Sequence, residues 1–569
     1  MMRRVFMVLA GAVAFALAGC GQKPEEPSLE VAPPRQASAP AAEPLEVIFT
    51  YGSEKEDWIK EVVAAFQAGK PKTKSGRPIR LQAFAQGSGE CIDEAINGTP
   101  RKVHLTSPAS EAYVKIGNAR WRARSGGKDL IAKTDNLVLS PVVIAMWRPM
   151  AEALGWPQKA LGWSDILTLA QNPQGWAAVG QAQWGRFKFG HTHPEFSNSG
   201  LISVLAETYA ATGKRDGLTA ADLASAKVHE TVSGIEQAVV HYGSSTGFFA
   251  RKMFANGPSY LSAAVLYENN VIEANDPKRY PDLSFPVVAI YPKEGTFWAD
   301  HPIGIVEREW VTDEHRDAAR QFIDFLLAAP QQQRAVPYGF RPASVEVPVA
   351  APIDIAHGVD PKEPQTTLAV PAADVMDGAL ALWRDTKKTS TIALVLDVSG
   401  SMKGSRIRNA RLGGAQLVAN LSDRDSFSLL IFNQALNWAF REVALSTDRK
   451  KAEQVLSGLI EGGGTALYDA IADAHRYQAE RQRAQPGRIS AVIVLTDGED
   501  TNSRLKLEQL LAGIRFDSEN QPVRIFTIGY GEEASEKILR QIADVTQGRF
   551  YKGTPENITA VFKDIATFF

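Results

Sequence analysis

Apolar residues along this chain fall into short unbroken runs that alternate with stretches of helical spacing, from residue 45 to the C-terminus. Residues 45–51 form one such run, suited to a buried strand. Trp58, Ile59, Val62, Val63 and Phe66 then recur at i, i+3, i+4 intervals and predict a helix. "IRLQAFA" predicts the next strand and leads into the polar turn Gly87-Ser88-Gly89 and a short helix. "KVHLTSPASEAYVKI" repeats the pattern of strand, hydroxyl-bearing turn and helix. Such alternation predicts a mostly parallel sheet covered by helices.

Two long apolar strands, 137–147 and 285–291, flank a region of about 149–275 that has helices and strands of its own. A lobe inserted between two crossings of the chain predicts a bilobal domain with a cleft and a hinge. The stretch "ASVEVPVAAPIDIAHGVDPKEPQTTLAVP" is rich in proline, and residues 346–388 are expected to connect two domains, with a helix over 373–384. Strands are then expected at 392–397, 426–432, 491–496 and 524–528. A helix over 407–421 presents Ile407, Ala410, Gly414, Val418 and Leu421 on one face. This is the pattern of a doubly wound α/β domain. No repeat of fixed period is present.

The chain has 569 residues, too many for one core. It is 44% hydrophobic and 22% charged, which excludes a globally disordered protein. A net charge of −2 supplies no polycationic surface for nucleic acid. Its two cysteines, Cys20 and Cys91, cannot build a disulfide framework or a thiolate metal cage. Cys91 is expected to be a buried small apolar residue.

Arg3 and Arg4 precede an apolar run over 5–18, too short to span a bilayer, which marks an export signal. It ends in Leu17-Ala18-Gly19-Cys20, which resembles a bacterial lipobox. The resemblance implies a signal peptide over 1–19, cleavage before Cys20 and a diacylglycerol thioether on its sulfur. Each buried acyl methylene contributes about 0.8 kcal/mol, so several chains hold a protein durably at a membrane. Residues 20–44, rich in Pro, Ala and Glu, read as a tether. Gly21, rather than Asp, follows the cysteine and points to an outer membrane in cells that have one, otherwise to the cell membrane.

"LGWSDILTLA", "WGRFKFGHTHPEFSNSGL", "AAVLYENNVIEAN", "YPKEGTFWADHPIGIVE" and "YGFRP" occur in that order. Together they resemble a bacterial extracellular solute-binding protein of the second periplasmic-binding class, over a domain of 45–345. In that resemblance ligand contacts come from turns after strands, at helix starts with free N–H groups. Candidates are Ser53, Ser88, Ser107, Asn198 and Ser199, donors that suit an anion or a polyol. Each also reads as an ordinary helix cap.

"ALVLDVSGSMKGSRI" ends a buried strand at Asp397 and places Ser399 and Ser401 on the following turn. Residues two apart project the same way, so three oxygens can converge. "EGGGTALYDA" sets Thr465 on a glycine-rich loop, and "VIVLTDGED" ends another strand at Asp497. Carboxylates and hydroxyls without His or Cys suit a hard cation, Mg²⁺ before Mn²⁺ or Ca²⁺. This set resembles the metal-ion-dependent adhesion site of the von Willebrand factor type A (VWA) family, over 389–569. The resemblance implies that Asp397, Ser399, Ser401, Thr465 and Asp497 hold the metal, and that an acidic side chain of a protein partner completes its shell.

His191, His193 and Glu195 in "HTHPEF" read as structural, since nothing fixes a third ligand and Pro194 indicates a loop. "EGGGTALY" lacks the Lys of a phosphate-binding loop, and no Gly-x-Ser-x-Gly elbow occurs. The expectation is therefore an α/β protein in which a bilobal periplasmic-binding-protein-like domain precedes a Rossmann-like VWA domain. It would be non-catalytic, extracytoplasmic and lipid-anchored. The VWA domain would bind a protein and the cleft a small ligand. The alternatives are the substrate-binding component of an ABC-type transporter, with the VWA domain as a docking accessory, and an envelope hydrolase.

Overall fold

The first apolar run is strand β1 (Leu45–Gly52) in the computed structural model, which describes residues 43–515, 523–531 and 534–569. The expected signal peptide, Cys20 and nearly all of the tether lie outside the described residues. In chain order there follow β2 (Ile79–Gln86), β3 (Leu105–Ser107), β4 (Thr134–Asn136), β5 (Val138–Trp147) and β6 (Phe189–Gly190). The domain continues with β7 (Ala263–Tyr267), β8 (Val287–Ile290), β9 (Trp298–Ala299), β10 (Pro302–Ile305) and β11 (Arg341–Pro342).

One lobe is built on the sheet β2-β1-β3-β10-β4, in which β1 runs parallel to β2 and β3 while β10 runs against both its neighbours. The other lobe is built around β5, which pairs antiparallel with β7, β8, β9 and β11. The mostly parallel sheet expected from the alternating pattern thus holds only for the start of the first lobe. In the second, strands returning toward the first lobe run against β5, and periodicity carries no information on direction. The chain crosses between the lobes at Leu137 and again at His301, and the Leu137 N–H donates to the His301 carbonyl at 3.2 Å. The second lobe therefore extends beyond 149–275, because β5 and β8 are strands of its own sheet.

Residues after 346 cover the second lobe: the Ala289 N–H donates to the Gly358 carbonyl at 2.9 Å, and that of Leu368 to Thr296 at 2.8 Å. The helix Ala373–Thr386 then packs against the helices Glu111–Ser125 of one lobe and Asn198–Thr212 of the other. Its Trp383 is buried, 4.6 Å from the His193 ring and 5.2 Å from that of Tyr242.

The C-terminal domain comprises β12 (Ser390–Asp397), β13 (Ser426–Phe432), β14 (Leu436–Ala444), β15 (Ile489–Thr496), β16 (Arg524–Tyr530) and β17 (Arg549–Gly553). Their order is β14-β13-β12-β15-β16-β17, parallel throughout except for β14. All eight residues of β12 are buried, as expected of a central parallel strand covered on both faces. The four expected strands are present; β14 and β17 are additions. Among the described residues no helix is long and apolar enough to cross a membrane.

Candidate metal centre and interlobe seam

β12 stops at Asp397, the turn Gly400–Met402 follows, and the helix Ser405–Asn420 leads away. The chain order reverses on either side of β12, where open α/β sheets form a crevice. Asp397 is fully buried and oriented from both sides: the Ser399 N–H donates to Oδ1 at 2.8 Å and the Thr496 hydroxyl to Oδ2 at 2.6 Å. Burial raises the Asp397 pKa, and the nearby Asp497 charge adds to this, while the bonds from Ser399 and Thr496 oppose it.

Ser399 Oγ lies 3.0 Å from Ser401 Oγ, which donates to Asp497 Oδ1 at 2.7 Å. The loop with Thr465 is tied to the same place: the Gly462 N–H donates to the Val398 carbonyl at 2.7 Å and that of Gly400 to Gly463 at 2.9 Å. The Thr501 and Asn502 N–H groups donate to the Thr465 carbonyl at 2.8 and 2.9 Å. A Cβ built on Gly498 would lie 3.7 Å from Ser401 Oγ and 4.0 Å from Thr465 Oγ1, so hydroxyls from two separate loops front one point. All five expected residues thus meet at the end of β12.

Sequence reading missed Arg406. It sits in the first turn of the helix Ser405–Asn420, and its Nη1 donates to Asp497 Oδ2 at 2.7 Å and to the Ser401 carbonyl at 3.3 Å. A cation in a helix's first turn opposes the macrodipole, and that misfit was the available signal. Two carboxylates and three hydroxyls, all oxygen donors, suit a hard cation; one guanidinium leaves them a net negative charge. Among the described residues no group of three or more His, Cys, Asp or Glu is placed to hold a metal, so the case for a cation rests on this mixed set.

The five cleft candidates lie at the seam between the lobes, all buried. Ser53 Oγ accepts from the Gly247 N–H at 3.2 Å, across the seam. Ser88 Oγ accepts from the Ala109 N–H at 2.9 Å. Asn198 accepts from Ser110 Oγ at 2.5 Å and donates to Tyr267 OH at 3.0 Å. Ser199 Oγ is bonded to Thr192 and Thr246 hydroxyls at 2.8 and 3.0 Å. Ser107 Oγ has no hydrogen-bond partner among the described residues. The lobes are closed on each other: the Gly89 N–H donates to the Phe196 carbonyl at 2.8 Å. A Cβ at Gly89 would stand 2.2 Å from the Glu195 carbonyl oxygen.

His191 and His193 go separate ways. His191 Nε2 is 2.9 Å from Glu236 Oε1, whereas His193 packs on Phe196 and Trp383, and Glu195 pairs with Arg384 at 2.5 Å. The seam also holds a buried triad absent from the sequence reading. Lys55 Nζ is 2.8 Å from Glu54 Oε1 and 3.1 Å from His301 Nδ1. Burial alone would raise the Glu54 carboxyl, but Lys55 and His301 outweigh it and hold it at about 2. Burial and then the Lys55 charge lower His301 to about 4.

Compared with known proteins, residues 47–341 match a family model described as bacterial extracellular solute-binding protein, and 391–564 one described as von Willebrand factor type A domain. Inter-alpha-trypsin inhibitor heavy chain H4 of Homo sapiens is 28% identical over 163 residues, which is 28% of this chain. That stretch is 17% of the human protein, so the chain spans a small part of the curated relative it matches. Among solved structures, the ferric binding protein from Campylobacter jejuni aligns with a TM-score of 0.41 and 11% identity, covering 60% of this chain and 99% of its own. The von Willebrand factor type A protein from Catenulispora acidiphila aligns with a TM-score of 0.29 and 22% identity, covering 32% of this chain and 42% of its own.

Proposed function

The chain belongs to the bacterial extracellular solute-binding protein family and carries a von Willebrand factor type A domain behind it, and from that premise we propose that it is a non-catalytic, lipid-anchored receptor of the cell envelope. Its VWA domain docks a protein partner through a divalent cation, and its first domain takes a small ligand between the lobes. One observation carries the first half: two carboxylates and three hydroxyls from three loops meet at the end of β12.

A bound Mg²⁺ would supply positive charge that an outside carboxylate can complete. The residues do the rest. Asp397 is held rigid by Ser399 and Thr496, and Ser401 orients Asp497. Arg406 shares the Asp497 carboxylate and must cede part of it when a cation enters.

The test is capture of envelope proteins by the tagged chain in Mg²⁺, in EDTA and with an Asp397→Ala variant. A partner retained only by the unaltered chain in Mg²⁺ supports the reading; three identical captures refute it. Membership of the solute-binding family also favours a second reading, a receptor serving a transporter. In that case a tight small ligand binds with the metal centre irrelevant to capture.

A further inference from the structure

We propose that the C-terminal domain is a latch on the two lobes: it rides on the second lobe as one body and clasps the first, so the lobes cannot part until the clasp lets go. Its hold on the second lobe is extensive. Beyond the packing of Trp383 and Phe568, Lys388 Nζ donates to the Val239 carbonyl at 3.0 Å and Lys252 Nζ to that of Gly548 at 3.2 Å. The Arg549 guanidinium lies 4.1 Å from the Phe248 ring centre, and that of Arg524 lies 5.5 Å from the Tyr260 ring centre. These contacts gather at the starts of β12, β16 and β17, whereas Asp397 ends β12. The converging oxygen donors therefore lie at the other end of the sheet from the latch.

The hold on the first lobe is thinner. The helix Ala373–Thr386 packs on the helix Glu111–Ser125, where its Asp377 stands 3.7 Å from Arg120. From the C-terminal domain itself, Lys563 on the helix Ile558–Ala566 reaches Asp93 of the first lobe at 4.0 Å, with both side chains partly exposed. The same ammonium lies 5.0 Å from the ring centre of Phe196, which belongs to the second lobe. Lys563 thus spans the seam.

It does so beside the bond that closes the lobes. Gly89 and Asp93 are four residues apart on the helix Ser88–Asn97 and so share a face. Phe196 supplies the carbonyl that accepts from the Gly89 N–H at 2.8 Å. Parting the lobes carries Asp93 away from Phe196, and Lys563, fixed to the second lobe with its domain, cannot follow. Seating of the C-terminal domain and admission of a ligand between the lobes therefore bias the same two states, joined and parted, and the coupling runs both ways. Partly exposed ion pairs are individually weak, which makes the clasp releasable.

The test is hydrogen–deuterium exchange, read by mass spectrometry on the purified full chain. Gly89 is the reporter: its N–H lies in the first turn of its helix, where no intrahelical acceptor exists, so its protection reads the bond to Phe196. Lys563→Glu sets a carboxylate against Asp93. Lys450→Glu makes the same charge change at an exposed site on the helix Leu445–Ser457, which packs on β14 and the helix Ser405–Asn420. The expected result is exchange at Gly89 at least about threefold faster in Lys563→Glu, with the amides of 394–396 in β12 as protected as before. Lys450→Glu should match the unaltered chain. Unchanged exchange at Gly89 in Lys563→Glu overturns the inference. So does a rise that β12 shares or that Lys450→Glu reproduces, because either is general loosening and not release of a clasp.

Discussion

Arg406 reaches from the first turn of its helix to Asp497 and donates to Oδ2 across 2.7 Å, at the point where the oxygen donors of the C-terminal domain converge. Asp497 is buried and Arg406 partly exposed, so the pair is a built-in rival to any cation there.

Removing the rival should strengthen metal binding. An Arg406→Gln variant is expected to bind Mg²⁺ about fivefold more tightly, the equivalent of roughly 1 kcal/mol for an ion pair with one partly exposed partner. Titration calorimetry on both proteins decides it; equal or weaker binding would show that Arg406 supports the site.

Closure of the lobes should fail when Gly89 gains a methyl group. The residue lies in the helix Ser88–Asn97, where Ala is favoured over Gly by about 1 kcal/mol, so its own lobe is not weakened. The added Cβ would meet the Glu195 carbonyl oxygen at 2.2 Å. A Gly89→Ala variant is expected to show a larger radius of gyration by small-angle X-ray scattering. Unchanged scattering would mean the seam yields.

Acidification should destabilise the seam in two windows. His301, at about 4, is neutral in the fold, whereas its usual value is 6.5. Between pH 6.5 and 4 the unfolded chain takes up a proton that the fold refuses, so stability falls with pH by up to about 3 kcal/mol. Glu54, at about 2 against a usual 4.5, contributes stability that is complete above pH 4.5 and lost between 4.5 and 2. His301 has a φ of 41°, in the left-handed region that Asn tolerates well. His301→Asn is therefore expected to flatten the upper window, measured as thermal midpoint against pH, and to narrow the lower one in part, since Lys55 still holds Glu54 down.

The convergence of oxygen donors at the end of β12 was legible in sequence because the residues that supply them follow local rules. A strand that ends in Asp397 with serines at alternate positions projects three oxygens one way, whatever surrounds it. The strands carrying Asp397 and Asp497 are unbroken apolar runs, as buried parallel strands must be. β14 was not legible: its residues 436–444 are mostly half-buried or exposed at a sheet edge, with no clean alternation. The second lobe's extent was missed because apolar runs reveal strands but not their partners. The ion pairs across the seam were out of reach altogether. Asp57 and Arg279 meet at 2.7 Å from positions far apart in the chain, and only closure of the lobes joins them.

The seat of the C-terminal domain rests on the last residues. Phe568 is buried 5.6 Å from the His241 ring and 4.8 Å from that of Phe526, and its carbonyl accepts from the Tyr242 N–H at 3.3 Å. Phe568→Ala is expected to cost about 3 to 5 kcal/mol. Limited proteolysis should then cut between the two domains at protease levels the unaltered chain resists. Equal resistance would show that Trp383 and its neighbours hold the seat alone.

The proposed cation site at Asp397 is tested most directly by equilibrium binding of Mn²⁺, followed by electron paramagnetic resonance, to the full chain and to Asp397→Ala. One ion per chain is expected, displaced by Mg²⁺ and absent from the variant. No bound ion in the unaltered chain, or the same ion retained by Asp397→Ala, would contradict it.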